Sequence, residues 1–344
     1  MAALTDRWTL AGVEVPNRVA LAPLAGIGNW FVRLQARRYG AGLVVSEMVS
    51  SCAVHYRNER TWRELLRIDE RERHGGPVSI QLFGSDPAIT RSAAAQVAAL
   101  GADLIDLNMG CPVPKVCKTG AGAALLDDGD RAVAIARAAH EGSGLPVTVK
   151  LRSGRRAGDQ SGVRLARRLV DEAGVCAIAF HPRAAVAGHC GPPDYGLAAE
   201  LVRTLDAPVI LSGGLHTARA AREAFEETGV AAVMLARGAL GNPWIFEELL
   251  GGRSAAPSNA EVISELGWVI ERCGEHLGVV RATRYMRRFY PWYVERLELD
   301  RTAAKQLRAD LQRADSFALA RELLERAMGG HDGAPNRAGV PALV

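Results

Sequence analysis

Eight short β-rich runs recur between residues 18 and 237 with helical sequence between most of them, and this alternation restricts the possible folds more than any other feature. The runs are RVALAPL (18–24), GLVVSEMV (42–49), PVSIQLF (77–83), DLIDLNM (103–109), PVTVKLR (146–152), VCAIAFH (175–181), PVILSGG (208–214) and VAAVMLAR (230–237). They are almost continuously apolar, as parallel strands buried on both faces must be. The intervening stretches, such as PAITRSAAAQVAALGA and GVRLARRLVDEAG, run into a glycine, the residue that most readily ends a helix. Eight such units in about 240 residues predict an α/β fold, a (β/α)8 TIM barrel. An open doubly wound sheet would normally show GxGxxG after its first strand, and APLAGIGN is not that pattern.

The composition changes at GGRSAAPSNAEV, a Gly/Ser/Pro-rich segment, and only helical patterns follow. The expected organisation is a barrel over 1–250, a linker over 251–261 and a small all-α helical bundle over 262–328. A Gly/Pro-rich flexible tail over 329–344 completes it.

No run approaches the roughly 18 consecutive apolar residues of a membrane span. The opening residues show no basic segment leading into an apolar stretch, so no signal peptide is expected and the expected compartment is the cytoplasm. The six cysteines include no CxxC pair, which argues against a disulfide framework. His181, His189 and Cys190 lack a fourth ligand at a metal-site spacing, so no metal is expected. A net charge of +4 permits a nucleic-acid partner without requiring one.

In such a barrel the function-bearing groups lie where strands pass into βα loops. Those positions hold Pro23 and Ala25, Glu47, Gln81, Asn108 with Cys111, Lys150, His181 with Arg183, Ser212-Gly213-Gly214, and Arg237-Gly238. Amide, ammonium, imidazole and thiol groups converging from so many strands predict a shared ligand site. The glycine-rich loops after the last two strands predict a phosphate site, since backbone N–H groups can approach an anion closely there. Gln81 and Asn108 suit a heteroaromatic edge, and Lys150 offers a fixed charge at the barrel mouth. Together these fit a flavin mononucleotide (FMN); a Schiff-base role for Lys150 is the alternative.

The same segments resemble the tRNA-dihydrouridine synthases, flavoenzymes that reduce the uracil 5,6-double bond in RNA. LAPLAG, EMVSS, IQLFGSDP, VTVKLRSG, HPRAA and ARGALGNPW follow the family order, and DLNMGCPVPKVCKTGAGAALLDD is similar to its N-x-G-C-P-x-x-K-V-x-K-x-G-x-G signature. The resemblance spans roughly 8–250, and RATRYMRRFYPWY is similar to a basic helical segment of the family's C-terminal domain; the bacterial B-type branch is nearest.

The resemblance implies FMN as cofactor, NADPH (or NADH) as reductant and tRNA as partner, with a monomeric protein expected. Pro23, Leu24 and Ala25 would meet the flavin through backbone, and Gln81, Asn108, Lys150 and His181 would hold its rings. Ser212, Gly213, Gly214, Ala236, Arg237 and Gly238 would hold its phosphate. Cys111 would donate the proton to C5. RNA would be contacted by Lys115, Lys118, Arg183, and by Arg281, Arg284, Arg287 and Arg288, whose i, i+3, i+6, i+7 spacing puts them on one helix face beside Tyr285, Phe289, Tyr290 and Trp292. The sixth loop departs from the family pattern: Ala187 stands for Gln, His189 for Tyr and Tyr195 for Trp. Ser212-Gly213-Gly214 replaces N-G-D. Those departures leave open another RNA or a small unsaturated substrate on the same flavin barrel. A non-catalytic RNA-binding barrel is the third reading.

Overall fold

The structure, a computed structural model, describes residues 2–329. The chain divides into two compact units, the first ending at Ser254 and the second beginning at Ala255. Residues 330–344, nearly all of the expected tail, lie outside the described residues.

The first unit opens with an antiparallel hairpin, β1 (Trp8–Leu10) and β2 (Val13–Val15). Ala11 and Gly12, at φ 46° and 87°, make its two-residue turn, whose left-handed residues match the twist of the strands. The (β/α)8 barrel follows as expected. Its strands are β3 (Val19–Leu21), β4 (Leu43–Val45), β6 (Val78–Phe83), β7 (Leu104–Met109), β8 (Val147–Arg152), β9 (Ala177–His181), β10 (Val209–Ser212) and β11 (Ala232–Leu235). All neighbours are parallel, and the pairings β3–β11 and β4–β6 close the ring. The two-residue β5 (Val49–Ser50) pairs with the end of β6 and extends the second strand past a break at residues 46–48. Ser46 fills that break: its Oγ accepts from the Gln81 N–H at 2.9 Å and donates to the Glu47 carbonyl at 2.8 Å.

Side chains of alternate residues fill the barrel in layers, as strand period demands. The lower layers are apolar and small: Ala20, Leu43, Val45, Leu104, Ala177, Ala179, Ile210, Ala232 and Met234 share one core with Trp8, Leu10 and Val15 of the hairpin. Two positions further along the same faces the chemistry changes. Leu104 gives way to Asp106 and then Asn108, Thr148 to Lys150, Ala179 to His181, and Ile210 to Ser212. One end of the barrel is thus sealed by hydrocarbon and the other is lined with polar groups.

In the second unit a capping box of Ser258 and Glu261 starts the helix Asn259–Leu277, three residues earlier than the linker expected from composition. Helices Val279–Met286, Tyr290–Val294, Arg301–Arg313 and Phe317–Gly329 follow. Val262, Leu266, Val269, Ile270, Met286, Tyr290 and Tyr293 are among its buried residues.

Candidate active site

At the polar end of the barrel the βα loops enclose a cavity of about 530 Å³. Pro23, Leu24 and Ala25 line it from the first loop, Gln81 from β6, Asn108 and Cys111 from β7 and its loop, and Lys150 from β8. His181 lines it from β9, Ser212, Gly213 and Gly214 from the end of β10, and Ala236 and Arg237 from the end of β11. Gly238 does not reach the cavity. It is buried where the last two loops meet, and a Cβ there would lie 3.1 Å from Cα of His216, so its lack of a side chain serves loop packing.

Strand register brings the polar groups side by side. Gln81 is opposite Asp106, Asn108 opposite Lys150, and Arg152 opposite His181. Gln81 Nε2 donates to Asp106 Oδ2 at 2.6 Å, and Asn108 Nδ2 donates to Gln81 Oε1 at 2.9 Å. Asn108 Oδ1 in turn accepts the backbone N–H of Cys111 at 2.9 Å and that of Gly110 at 3.3 Å. On the other side, the Cys111 carbonyl accepts from Ala123 N at 3.0 Å and Cys117 Sγ at 3.3 Å. Gly122, at φ 61°, makes this possible, since a Cβ there would sit 2.7 Å from that carbonyl oxygen. The Cys111 backbone is therefore held from both ends while its side chain lines the cavity.

Electrostatics differ from group to group. Burial pushes the Cys111 thiol above its ordinary value, so it is protonated at neutral pH. Burial, with help from Arg152, pulls Lys150 down to about 8 despite nearby Asp106. Its Nζ donates to Ser212 Oγ at 2.9 Å. His181 is pulled far below its ordinary value, first by burial and then by Lys150, Arg152 and Arg183. It is neutral, and its Nε2 accepts from Arg183 Nη1 at 3.0 Å. Arg183 Nε donates to the Gly191 carbonyl at 2.9 Å, so this guanidinium, expected from sequence to contact RNA, is buried between β9 and the sixth loop.

The glycines after β10 are required by shape. Gly213 has φ 95° and its missing Cβ would overlap the His181 ring; Gly214 has φ 82°, with Tyr195 Oη 2.6 Å from where a Cβ would be. The Tyr195 hydroxyl donates to the Gly213 carbonyl at 3.1 Å. Both glycines line the cavity, and their missing side chains leave room for the His181 ring on one side and for Tyr195 and Pro193 on the other.

Lys115 and Lys118 are exposed on the loop that carries Cys111. In the second unit Arg281, Arg284 and Arg288 are exposed, but the expected four-arginine face is not continuous. The helix ends at Met286. Arg287 lies past that end, half-buried, with its Nη2 3.4 Å from the Ala314 carbonyl and its own carbonyl accepting from Gln312 Nε2 at 2.6 Å. Phe289 and Tyr290 are core residues rather than stacking surface, whereas Tyr285 and Trp292 are only half-buried.

Three residues at or behind the cavity were given no cofactor or catalytic role in the sequence reading, which named His189 only as a departure in the sixth loop and a rejected metal ligand. Arg152 lines it and ties down the sixth loop through Gly188 O at 2.7 Å and Ala184 O at 3.3 Å. His189 lines it and lies nearly parallel to His181, ring centres 5.9 Å apart. Asp106 stands behind Gln81; its spacing of two residues from Asn108 was the available signal, because that spacing puts both on one strand face.

A family model described as dihydrouridine synthase matches residues 20–328. The tRNA-dihydrouridine synthase B of Pseudomonas aeruginosa is 36% identical over 307 residues, covering 87% of this chain and 89% of that protein. Its counterpart from Xanthomonas campestris is 34% identical over 331 residues, covering 92% and 95%. Among solved structures, morphinone reductase in complex with tetrahydroNAD aligns with a TM-score of 0.54 at 16% identity, covering 76% of this chain and 94% of that one. A 2-naphthoyl-CoA reductase complex aligns at 0.58 and 14%, covering 73% and 52%, and at such identities the likeness is one of fold. With a match that runs through the barrel and on into the helical unit, the chain belongs to the dihydrouridine synthase family.

Proposed function

We propose that this protein reduces the 5,6-double bond of uridine in tRNA, using FMN held in the barrel-mouth cavity and NADPH as reductant. The observation that carries the reading is the convergence, on one cavity, of a protonated thiol, a strand-borne lysine and a glycine cradle. The residues present fit the flavin. Gln81 and Asn108 offer amide edges, Lys150 a positive charge beside Ser212, and Gly213 and Gly214 backbone at the cavity wall where no side chain can be fitted against His181 and Tyr195. The ring system would be held by Gln81, Asn108, Lys150 and His181, and the phosphate by Ser212 to Gly214 with Ala236 and Arg237.

When bound and reduced, the flavin supplies a hydride to C6 of the uracil. C5 then takes the proton that Cys111 Sγ holds, and the raised thiol value keeps that proton in place at neutral pH. The two-sided anchoring of the Cys111 backbone keeps the thiol at the cavity instead of letting the loop swing. Uracil in folded RNA reaches such a site only when unstacked, so the exposed Lys115, Lys118, Arg281, Arg284 and Arg288 act on the phosphate backbone while the base enters. The site of action is the cytoplasm, and the working species is a monomer.

The test is anaerobic: reduce the purified yellow protein with NADPH, then add unmodified tRNA. Rapid reoxidation by tRNA, slow without it, is the expected result. A flavoprotein indifferent to tRNA but reoxidised by a small enone would replace this reading with a small-molecule reductase.

A further inference from the structure

The barrel interior contains a carboxylate to which the proposed chemistry gives no task. Asp106 is 1% exposed, deep in β7, and accepts from Thr148 Oγ1 and from Gln81 Nε2, each at 2.6 Å. Gln81 is itself fully buried. From Asp106 a single file of hydrogen bonds leads through Gln81 and Asn108 to the backbone N–H groups of Gly110 and Cys111.

The direction of that file is set at one end. An amide has a donor face and an acceptor face and can be turned over; Asp106, raised by burial to about 6, is ionised above that pH, and an ionised carboxylate only accepts. Facing Asp106, Gln81 must present its NH2 and therefore turns its oxygen towards Asn108. Asn108 must answer with its own NH2, which leaves its oxygen for the Cys111 N–H. Turn the first amide over and the second follows, so that the Asn108 NH2 would then meet the Cys111 N–H, donor against donor.

We propose that Asp106 is a positioning residue for Cys111: by fixing the orientation of Gln81 and Asn108 it supplies the acceptor that holds the Cys111 backbone, and so the thiol, at the cavity. This deepens the proposed function, since it rests on Cys111 being the proton donor. It predicts that a buried carboxylate is needed somewhere in the file, not a particular volume at position 106.

Asp106→Asn keeps the shape and removes the directing charge. The new amide can still accept from Thr148, but it then offers its NH2 to Gln81 and reverses the file. Asp106→Asn combined with Gln81→Glu moves the carboxylate one step along. Its two oxygens accept from position 106 and from Asn108 Nδ2, and Asn108 Oδ1 faces Cys111 again.

Hydrogen–deuterium exchange of the full-length protein, with FMN in excess and no RNA, reads this directly at Gly110 and Cys111. Asp106→Asn should speed exchange there by about tenfold, the effect of one lost hydrogen bond, with β6 and β8 unchanged. The double variant should return it towards the parent. Unchanged exchange in Asp106→Asn, or a double variant no better protected than the single, overturns the proposal. Should the single variant fail to fold, the double variant decides: protected amides support the assignment, and unprotected amides or failure to fold refute it. Exchange that follows this pattern while Cys111→Ala still turns over tRNA at the parent rate would keep the positioning role and remove the donor role.

Discussion

Gly213→Ala is the substitution whose consequences can be worked out most fully. The residue has φ 95°, where an L side chain costs about 1 to 2 kcal/mol. The added Cβ would also overlap Cδ2 and Nε2 of His181, a ring that is 6% exposed and bonded to Arg183. The ring cannot step aside without giving up that bond or moving into the cavity, and overpacking of this kind costs roughly 1 to 3 kcal/mol. Together these come to about 3 kcal/mol. At roughly 2 to 4 °C per kcal/mol for a domain of this size, melting should fall by about 6 to 12 °C. FMN affinity should fall at least about tenfold as well, because the methyl displaces the His181 ring, assigned to hold the flavin, and shifts the backbone assigned to its phosphate. A thermal melt of the flavin-free protein and a titration of FMN fluorescence measure the two effects separately. A variant that melts within a degree of the parent and binds FMN equally well would refute both the strain and the cradle.

Three further outcomes are expected. Cys111→Ala should keep flavin and its reduction by NADPH while slowing tRNA-driven reoxidation by about 10² to 10⁴; anaerobic stopped flow separates the two half-reactions. Lys150, lowered from 10.5 to about 8 in the cofactor-free protein, loses its ammonium above that pH. FMN affinity should then fall by up to about tenfold per pH unit above 8. Folding stability should shift the other way, rising between pH 8 and 10.5, because there the unfolded chain binds more protons than the folded one. Both trends should flatten in Lys150→Met. Arg33 and Glu72 form an ion pair at 2.6 Å with both side chains fully buried, so Arg33→Met should cost about 3 to 5 kcal/mol by stranding a buried carboxylate. The added change Glu72→Met should recover most of that loss in a denaturant melt.

The order of the elements was legible in the chain because parallel strands buried on both faces leave continuous apolar runs, and each of the eight runs became a barrel strand. The hairpin at Trp8–Val15 was not legible. Its strands are three residues each, too short for alternation to register, and Ala11 occupies a turn position where glycine or asparagine would have been the cue. On the second unit, spacing alone put four arginines on one face, whereas the helix stops at Met286 and Arg287 packs inward. Helical periodicity says where side chains point only for as long as the helix lasts.

Local residue chemistry by itself determined the strand and helix order, the loops that would carry polar groups, and the Gly-Cys-Pro turn that sets the Cys111 thiol among them, because these depend on period and on residues a few positions apart. Tertiary structure alone decided how those groups face one another. Asp106 sits behind Gln81, Thr148 donates to Asp106 and Arg152 ties down the sixth loop. The reason is register. The partners of a buried polar group lie on neighbouring strands 25 or more residues away in sequence, as with Gln81 and Asp106, and only closure of the barrel brings them to within hydrogen-bonding distance.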